Sequence, residues 1–378
     1  MSEVTELDQV AKFINGFAFK PIDWGSTGRK IIRIQNLTNP TKSYNRTTRV
    51  VPDKYIVRKG DILVSWSATL DVFEWVDEEE ALLNQHIFKA ELDDALIDRD
   101  YFKFALQFSI EKMTQFTHGS TMKHIVRKDF LKHKIPLPVL EEQKRIVGIL
   151  TTANKLVQMR QQAIQSLDIH SRSVFLEMFG DPVSNPMNWD KKQLSEFGQI
   201  ITGNTPSRAN DNNYSSRHIE WIKTDNIKED ELYVTEATEF LSEEGLRSAR
   251  YVTSGAVLIA CIAGSANSIG RAAMTNRKVS FNQQINAIQP NDHVNPLFLY
   301  WLIKLSKSYI LSHATSGMKK ILTKGALQKV AMILPPIYLQ NEFARKAEMT
   351  EQVKRKMLTQ SSELETQFKA LMQEVFIS

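Results

Sequence analysis

The sequence predicts an α+β fold with two similar globular domains, separated by two long α-helices that pack as an antiparallel coiled coil. Three observations lead to this prediction. The 378-residue chain repeats itself at a nearly constant offset, each half runs from short β-type segments into helical ones, and each half ends in a long segment with one apolar stripe. The predicted domains are residues 1–138 and 182–336, and the predicted helices are residues 139–181 and 337–378.

The internal repeat is the strongest of these observations. The phrase "IPLPVLEEQKRIVGIL" in the first half returns as "MILPPIYLQNEFARKA" in the second, and further pairs of segments match in the same order. Asn84 and Asn282, like Gln143 and Gln340, lie 197 or 198 residues apart. A solenoid unit is only about 20–50 residues long, so the repeat indicates a duplicated domain.

Each half contains the same succession of element types. Short runs rich in β-branched and aromatic residues come first, such as "KIIRIQNL" and "GDILVSW" in one half and "IEWIKTDNI" and "AVLIACIAG" in the other. A helical segment follows, "DRDYFKFALQFSIEKM" or "NPLFLYWLIKLSKSYI", and then a basic segment. The proline phrase ends each domain, because proline disfavours helix in the preceding residue and suits the first turn of the next helix.

The two long helices are predicted from apolar residues that recur in steps of three and four. The second runs from Asn341 to Phe376 without proline or glycine, roughly 54 Å at 1.5 Å per residue. In the first, Gly180, Asp181 and Pro182 end the pattern. The stripe of the first helix consists of Ile146, Ile149, Ala153, Leu156, Ala163, Leu167 and Val174. The stripe of the second consists of Phe343, Ala347, Thr350, Val353, Met357, Ser361, Leu364, Phe368, Leu371 and Val375. Such helices need a partner. The obvious one is the other long helix, and the alternative is two separate surface helices.

Composition restricts the class of protein. Apolar residues make up 42% and charged residues 24% of the chain, which is ordinary for a soluble globular protein. A single cysteine, Cys261, an acidic start and no long apolar run lead us to expect a cytoplasmic protein without disulfide, structural zinc, signal peptide or membrane span. The chain has 48 basic and 43 acidic residues, so its net charge is too small to indicate a polyanion partner. Only the distribution of the charges along the chain can do so.

Catalytic motifs were sought and not found. The sequence has no phosphate-binding loop of the G-x-x-x-x-G-K-[ST] type, no dinucleotide fingerprint and no H-E-x-x-H. The phrase "LPPIY" superficially resembles the base-holding loop of DNA amino-methyltransferases, but it lacks the leading Asp or Asn and the aromatic residue. We therefore expect no catalysis, no metal site and no cofactor in this chain.

Two kinds of candidate DNA-binding residue stand out. Basic segments at equivalent places of the repeats suit phosphate contacts, although a solvated helix face is the alternative. Polar loops after the β-type runs carry Asn, Gln, Arg and Lys, which form bidentate contacts with base edges, although turn or strand-end hydrogen bonding is the alternative. The basic-segment candidates are Lys123, His124, Arg127, Lys319 and Lys320. The loop candidates are Lys20, Asn36, Arg46, Ser67, Asn84, Gln85, Thr205, Ser207, Arg208, Lys223, Thr224, Asn226, Ser265, Arg271 and Gln283.

The ordered set of matches resembles the specificity subunit of type I restriction–modification systems. The first half carries "NGFAFK", "IIRIQNL", "KGDILVS" and "IPLPVLEEQKRIVGIL", and the second carries "ITGNTPSR", "WIKTDNI", "NQQ", "SGMKKI" and "LPPIYLQNEFA". The likeness spans nearly the whole chain. It implies a non-catalytic, sequence-specific double-stranded DNA-binding subunit in which each domain is a target-recognition domain for one half of a split sequence.

The resemblance also implies the role of the helices and the partners. The helices would act as a ruler that sets the unread spacer and would dock two modification subunits, with motor–nuclease subunits as further partners. The partner subunits would hold S-adenosylmethionine, ATP and Mg²⁺. The residues predicted for partner contact are Ile146, Ile149, Leu156, Phe343, Val353 and Leu364. The rival interpretation is a coiled-coil adaptor built on a duplicated domain, without sequence-specific DNA binding. The sequence predicts neither the bases recognised nor the spacer length.

Overall fold

The structure is a computed structural model that describes residues 4–39, 41–67, 69–115, 127–262, 268–315 and 321–377. The chain divides into two compact units. Unit 1 comprises Met1–Gln161 and Gln360–Ser378, and unit 2 comprises Gln162–Thr359.

Unit 1 is built from short strands and helices. Its strands are β1 (Val4–Glu6), β2 (Ala11–Asn15), β3 (Arg29–Ile32), β4 (Asn45–Thr47), β5 (Ile56–Val57), β6 (Ile62–Ser65), β7 (Asp71–Glu74), β8 (Ala81–Leu83), β9 (Ile87–Leu92) and β10 (Lys134–Pro136). Its helices are α1 (Leu7–Val10), α2 (Ile34–Thr38), α3 (Arg99–Gln115), α4 (Arg127–Leu131), the first part of α5 (Leu140–Phe179) and the last part of α10 (Ile337–Ile377). The sheets have the orders β2-β9-β6-β7, β4-β3-β8-β5 and β1-β10.

Unit 2 repeats this topology strand for strand. Its strands are β11 (Lys191–Gln193), β12 (Gly198–Thr202), β13 (Ile219–Ile222), β14 (Phe240–Leu241), β15 (Tyr251–Val252), β16 (Val257–Ala260), β17 (Ala272–Met274), β18 (Val279–Phe281), β19 (Ile285–Pro290) and β20 (Ala331–Ile333). Its helices are the rest of α5, α6 (Glu243–Ser248), α7 (Pro296–Leu305), α8 (Lys307–Ser312), α9 (Lys324–Gln328) and most of α10 (Ile337–Ile377). The sheets have the orders β12-β19-β16-β17, β14-β13-β18-β15 and β11-β20, so the predicted duplication is confirmed.

Strands β6 and β16 show why each half needs continuous apolar runs. Every residue of both strands is buried. Successive side chains point to opposite faces of a sheet. Accordingly, Val257 and Ile259 enter the core beneath α7, whereas Leu258 and Ala260 enter the core against the second sheet. A strand covered on both faces must be apolar at every position, and each buried Val, Leu or Ile stabilises the fold by roughly 1.5–3 kcal/mol.

The two long helices are α5 and α10. α5 has 40 residues and α10 has 41, roughly 60 Å each at 1.5 Å per residue. Gly180 ends α5 in the left-handed region at φ 72°. A Cβ atom at this glycine would also lie 2.7 Å from the ring of Pro186, so no other residue ends the helix here without strain.

The two helices pair antiparallel. In unit 2, Asp168 of α5 contacts Lys354 of α10 at 2.8 Å, and further along α5 the ring of Phe179 lies 5.8 Å from that of Phe343. Residue numbers that rise along α5 thus meet residue numbers that fall along α10. In unit 1 the Gln161 side chain donates to Glu365 over 3.0 Å. The predicted antiparallel coiled coil is confirmed.

The buried stripe differs from the predicted one at three positions. Leu150 and Val157 of α5 face the inside, whereas their neighbours Ile149 and Leu156 are 43% and 51% exposed. In α10, Lys354 takes the inner position and Val353 is 43% exposed. At the first two positions both neighbours are apolar and fit steps of three and four equally well, so periodicity could not choose between them. At the third, the buried residue is a charged lysine, which an apolar pattern does not include.

A glutamine near the start of each long helix anchors that helix to its own unit. Gln143 and Gln340 are both 0% exposed. The Gln143 side chain accepts from the Asp98 backbone N–H at 2.7 Å and donates to the carbonyls of Leu96 and Pro138 at 2.9 and 2.8 Å. Asp98 in turn caps α3 through its carboxylate. The anchor thus joins the start of α5 to the start of α3.

Gln340 makes the equivalent anchor in unit 2. Its side chain accepts from the Asn295 backbone N–H at 2.9 Å and donates to the carbonyls of His293 and Pro335 at 3.2 and 2.7 Å. Asn295 caps α7 in the same way. Because the two Gln side chains use all their polar atoms identically, the repeat preserves how each long helix leaves its unit.

Candidate nucleic-acid interface

In each unit the parallel strand pair ends at a cluster of polar side chains. β3 and β8 lead into Arg33 and Asn84, and β13 and β18 lead into Lys223 and Asn282. The backbone N–H of each asparagine donates to the last residue of the neighbouring parallel strand, over 3.3 and 3.0 Å. The carboxyl ends of parallel strands thus bring a cation and an amide together at one edge of each unit.

A glycine lets a loop cross this edge closely in both units. A Cβ atom on Gly16 would lie 1.9 Å from the carbonyl oxygen of Asn84, and one on Gly203 would lie 2.2 Å from that of Asn282. Both distances are impossible for a real side chain. The glycines of "NGFAFK" and "TGNTPS" are therefore required for the loop that carries Lys20 in unit 1 and Thr205 in unit 2.

Asn36 and Asn226, predicted to contact bases, have an internal role in the structure. They are 3% and 8% exposed. Each side-chain oxygen accepts a backbone N–H three residues earlier, at 3.2 Å for Asn36 and 3.0 Å for Asn226. Each side-chain amide donates to two further acceptors. These side chains hold the loop that follows β3 or β13, and the oxygen and nitrogen of each amide are both hydrogen-bonded within the protein.

The clearest cluster of predicted residues lies in unit 2. The Arg208 guanidinium stacks on Tyr214 and Trp221, 4.3 and 5.1 Å from the ring centroids, and donates to the Glu239 carboxylate at 2.5 Å. Lys223 donates to the other Glu239 oxygen. The hydrogen bonds from Lys223 and Arg208 hold the pKa of Glu239 below its usual value, so the carboxylate stays charged. The cluster resembles a cation site in which an acidic side chain stands where a phosphate or a base edge would bind.

The remaining unit 2 candidates surround this cluster at the same edge or at its flank. Thr205 donates to the Gln283 side chain, and both residues are exposed. Ser207 is exposed, and Thr224 is half-buried in the turn after β13. Arg271 pairs with Glu229 at 3.0 Å.

The unit 1 candidates are more dispersed. Arg46 forms a bidentate pair with Glu79 at 2.8 and 3.2 Å. Lys20 is exposed, whereas Ser67 is 7% exposed. Arg127 is exposed and reaches the Phe13 carbonyl at 3.5 Å, beyond good hydrogen-bond length.

The amide pair after β8 is half-buried. Gln85 donates its backbone N–H to Phe17 at 2.9 Å. The side-chain oxygen of Asn84 is buried and has no hydrogen-bond partner among the described residues. A buried unpaired acceptor is costly, so Asn84 can gain free energy from a donor that approaches this edge.

Arg33 is a candidate that the sequence reasoning missed. Its guanidinium lies 4.8 Å from the ring centroid of Trp24 and donates to the Asn45 side chain at 3.2 Å. It occupies the position equivalent to Lys223, directly after the parallel strand and at the start of the Asn-capped turn. The aligned phrases "IIRIQN" and "WIKTDN" contain this signal.

Five predicted residues lie outside the described part of the chain: Lys123, His124, Ser265, Lys319 and Lys320. The partner-contact candidates divide into two groups. Ile146 and Phe343 belong to the hydrophobic cores, so their side chains are not accessible to another subunit. Ile149, Leu156 and Val353 are exposed, and Leu364 is half-buried.

Other chemistry has little support within the described residues. No group of three or more His, Cys, Asp and Glu side chains there could hold a metal ion. The helices in that part of the chain include none that is long and apolar enough to cross a membrane. Cys261 is buried, and burial raises the pKa of its thiol to about 12.

The family model of the type I restriction modification DNA specificity domain matches this chain twice, over residues 1–168 and 186–354. The chain belongs to this family. The two matches fall on the two halves of the repeat, and the adaptor interpretation is not favoured.

Individual relatives agree with the family. The specificity subunit of the type I restriction enzyme EcoBI from Escherichia coli is 24% identical, over 90% of this chain and 77% of that protein. The corresponding subunit of HindI from Haemophilus influenzae is 32% identical over 40% of this chain, and the match spans about a third, 32%, of that relative's length.

Solved structures share the fold. The S subunit of a type I restriction-modification system from M. genitalium has a TM-score of 0.55 at 14% identity, with 99% of this chain and 96% of that chain covered. A chain from a structural study of assembly and conformational transition in the type I R-M system has a TM-score of 0.59 at 17% identity, with 99% and 97% covered.

Proposed function

We propose that this chain is the non-catalytic DNA-recognition subunit of a type I restriction–modification complex, in which each unit reads one half of a bipartite duplex target. The observation that carries the proposal is the duplicated edge: both units place a cation and an amide at the ends of a parallel strand pair, on a chain of the DNA specificity family. A protein that reads two separate half-sites needs two reading surfaces, and a duplicated domain supplies them.

The proposed reading residues are the exposed or half-buried ones at these edges. In unit 1 they are Lys20, Arg46, Asn84 and Gln85, with Arg127 as a phosphate contact and Arg33 as an addition from the structure. In unit 2 they are Thr205, Ser207, Arg208, Lys223, Thr224, Arg271 and Gln283. Ser67, Asn36 and Asn226 are assigned to holding the loops, and Lys123, His124, Ser265, Lys319 and Lys320 stay predictions from the sequence.

DNA binding at unit 2 requires the acidic partners to be displaced. Arg208 and Lys223 are held by Glu239, and Arg271 by Glu229. A phosphate or a guanine edge offers these cations the same bidentate geometry as a carboxylate. Glu239 therefore disfavours non-specific DNA binding. A DNA site that supplies hydrogen-bond acceptors to both Arg208 and Lys223 can displace it.

The long helices are proposed to set the spacer and to dock partners. Residues 140–161 of α5 belong to unit 1 and residues 162–179 to unit 2, so the helix is continuous between the two reading units. Major-groove half-sites on one face of B-DNA repeat about every 34–36 Å, a distance that lies within the roughly 60 Å of each helix. The exposed Ile149, Leu156 and Val353 are the apolar surface proposed for modification subunits.

The complex is proposed to contain two modification subunits and, as further partners, restriction–translocation subunits. S-adenosylmethionine, ATP and Mg²⁺ are assigned to those subunits. The modification subunits would flip and methylate an adenine. We place the complex in the cytoplasm, where it has access to the DNA.

The deciding experiment is a methylome. The chain is expressed with its modification subunit in a methylation-free host, and every methylated adenine is mapped. We expect two short specified blocks around a fixed unread spacer. A continuous motif, or no methylation by a complex whose assembly is verified, would contradict the proposal.

A variant pair assigns the half-sites. Lys223→Ala should change only the bases read by unit 2, and Arg33→Ala only those read by unit 1. Lys356→Ala, an exposed lysine on α10, is the matched control and should leave both blocks unchanged. A change in both blocks from either single variant would refute the assignment of one unit to one half-site.

A further inference from the structure

A buried ion pair interrupts the apolar stripe between the long helices in unit 2. Lys354 of α10 is 6% exposed. Its ammonium lies 2.8 Å from both carboxylate oxygens of Asp168 on α5 and 3.1 Å from the carbonyl oxygen of Asp230. An ammonium has three protons to donate, and here all three have an acceptor.

The surroundings of this ion pair exclude a ligand as the explanation for it. Tyr300 and Lys304 of α7 and Glu351 of α10 line the same enclosed space, whose volume is about 10 Å³. That volume is at most about that of one water molecule. The charged side chains therefore pair with one another, and their effect is on the contact between the two helices.

The ion pair also joins the helices to the loop that follows β13 and its turn in unit 2. Next to Asp230, Glu229 pairs with Arg271 at 3.0 Å, and Arg271 is one of the proposed reading residues. Arg355, next to Lys354, stacks on Tyr233 at 5.0 Å from the ring centroid. Lys354 of α10 therefore contacts both α5 and this loop.

The equivalent place in unit 1 has no such pair. The repeat offset of 197 residues matches Lys354 to Val157 and Asp168 to Glu365. Val157 is buried in the apolar stripe, and Glu365 accepts from Gln161. Among the described residues of α5 and α10, the buried charged side chain thus lies in the unit 2 part, and the repeat does not duplicate it in unit 1.

A buried charge of this kind selects one axial register. An apolar stripe repeats every seven residues, so a slip of one heptad, roughly 10 Å, brings similar side chains together again. Lys354 cannot slip without loss, because one heptad away on α5 it would meet Gln161 or Phe175 instead of Asp168. A polar side chain in such a stripe specifies register rather than adding stability.

We propose that Lys354 is a positioning residue that fixes the axial register of α5 against α10 through Asp168 and Asp230. The inference then extends to DNA, and this part rests on the proposed function: the same register fixes the number of unread base pairs between the two half-sites.

The test has two measurements. Cross-linking reports the register of the helices without DNA, and the methylome reports the spacer length. Gln161→Cys and Glu365→Cys place a thiol pair across the helices of the full chain, assembled with its modification subunit. Cys261 is buried and does not compete for a short bismaleimide cross-linker. The test variant adds Lys354→Met with Asp168→Leu, which replaces both members of the ion pair with apolar side chains. The control adds Lys356→Met, and thermal unfolding verifies that each variant is folded.

We expect the cross-linking yield to fall at least about fivefold in the Lys354→Met, Asp168→Leu variant and to stay unchanged in the Lys356→Met control, since a heptad slip separates the thiols. The methylome of the variant should show more than one spacer length. An unchanged yield in a folded variant would overturn the register role. A reduced yield with a single unchanged spacer would overturn the link to spacing. If the parent complex itself gives no split motif, the proposed function fails, and the cross-linking result alone decides the register role.

Discussion

Replacing Gln143 with alanine should destabilise unit 1 through the loss of one glutamine anchor. The substitution removes three hydrogen bonds of 2.7 to 2.9 Å from a side chain that is 0% exposed. The Asp98 N–H loses its acceptor, a cost of roughly 1–3 kcal/mol, and the carbonyls of Leu96 and Pro138 add a smaller share. We expect the free energy of unfolding to fall by about 3 kcal/mol, a large part of the 5–15 kcal/mol typical of a domain.

Equilibrium urea denaturation of the full chain measures this loss, and hydrogen exchange locates it. Faster exchange should be confined to the starts of α3 and α5, because the anchor joins these two helices. Gln340→Ala should cause a loss of similar size in unit 2, since its partners are duplicated. Gln158→Ala, an exposed glutamine on α5, is the control. A loss below about 0.5 kcal/mol from Gln143→Ala would refute the reasoning, because surface substitutions give changes of that size.

Three further predictions test other parts of the structure. Gly148→Ala in α5 should raise the free energy of unfolding by roughly 0.5–1 kcal/mol in urea denaturation, because a Cβ atom there meets nothing within 4 Å and alanine is the better helix former; a decrease would indicate a contact that the structure lacks. Gly203→Ala should abolish recognition of the unit 2 half-site, because the added Cβ atom would lie 2.2 Å from the Asn282 carbonyl oxygen. The methylome should still show the unit 1 half-site. A normal split motif would contradict this prediction. Burial raises the pKa of Glu351 above its ordinary 4.5, so the folded chain binds this proton more tightly and the stability it contributes below pH 4.5 is lost as the pH rises through the raised pKa. Glu351→Gln should therefore raise the melting temperature at neutral pH and not below pH 4.5, and an equal shift at both would argue against a titration effect.

Much of the architecture could be read from the sequence. The duplication, the two long helices and the glycine end of α5 all leave periodic or punctuating signals, and those signals depend only on local geometry. The topology of unit 2 follows that of unit 1 because equivalent apolar runs bury equivalent strands. The equivalent glutamines, noticed only as a match in the repeat, turned out to be the anchors.

The internal contacts of the polar candidate residues at the ends of the parallel strands could not be predicted from the sequence. Asn36 and Asn226 were chosen because amides read bases, yet both are used inside their loops. Arg33 was overlooked, although the repeat aligns it with Lys223. Residue type alone does not tell a side chain that caps a turn from one that faces DNA, because both use the same hydrogen-bonding groups.

The sequence by itself determined that this chain is a duplicated domain with a long helix in each half, since a repeat and a heptad stripe are properties of residue order. Only the tertiary structure decided which side of each stripe is buried, because Ile149 and Leu150 fit the same period. Only it could bring Glu239 between Arg208 and Lys223, or Asp168 and Asp230 to Lys354, since these partners lie 16 to 186 residues apart in the chain. Long-range ion pairs leave no local pattern, and here they determine which charged side chains are already paired within the protein.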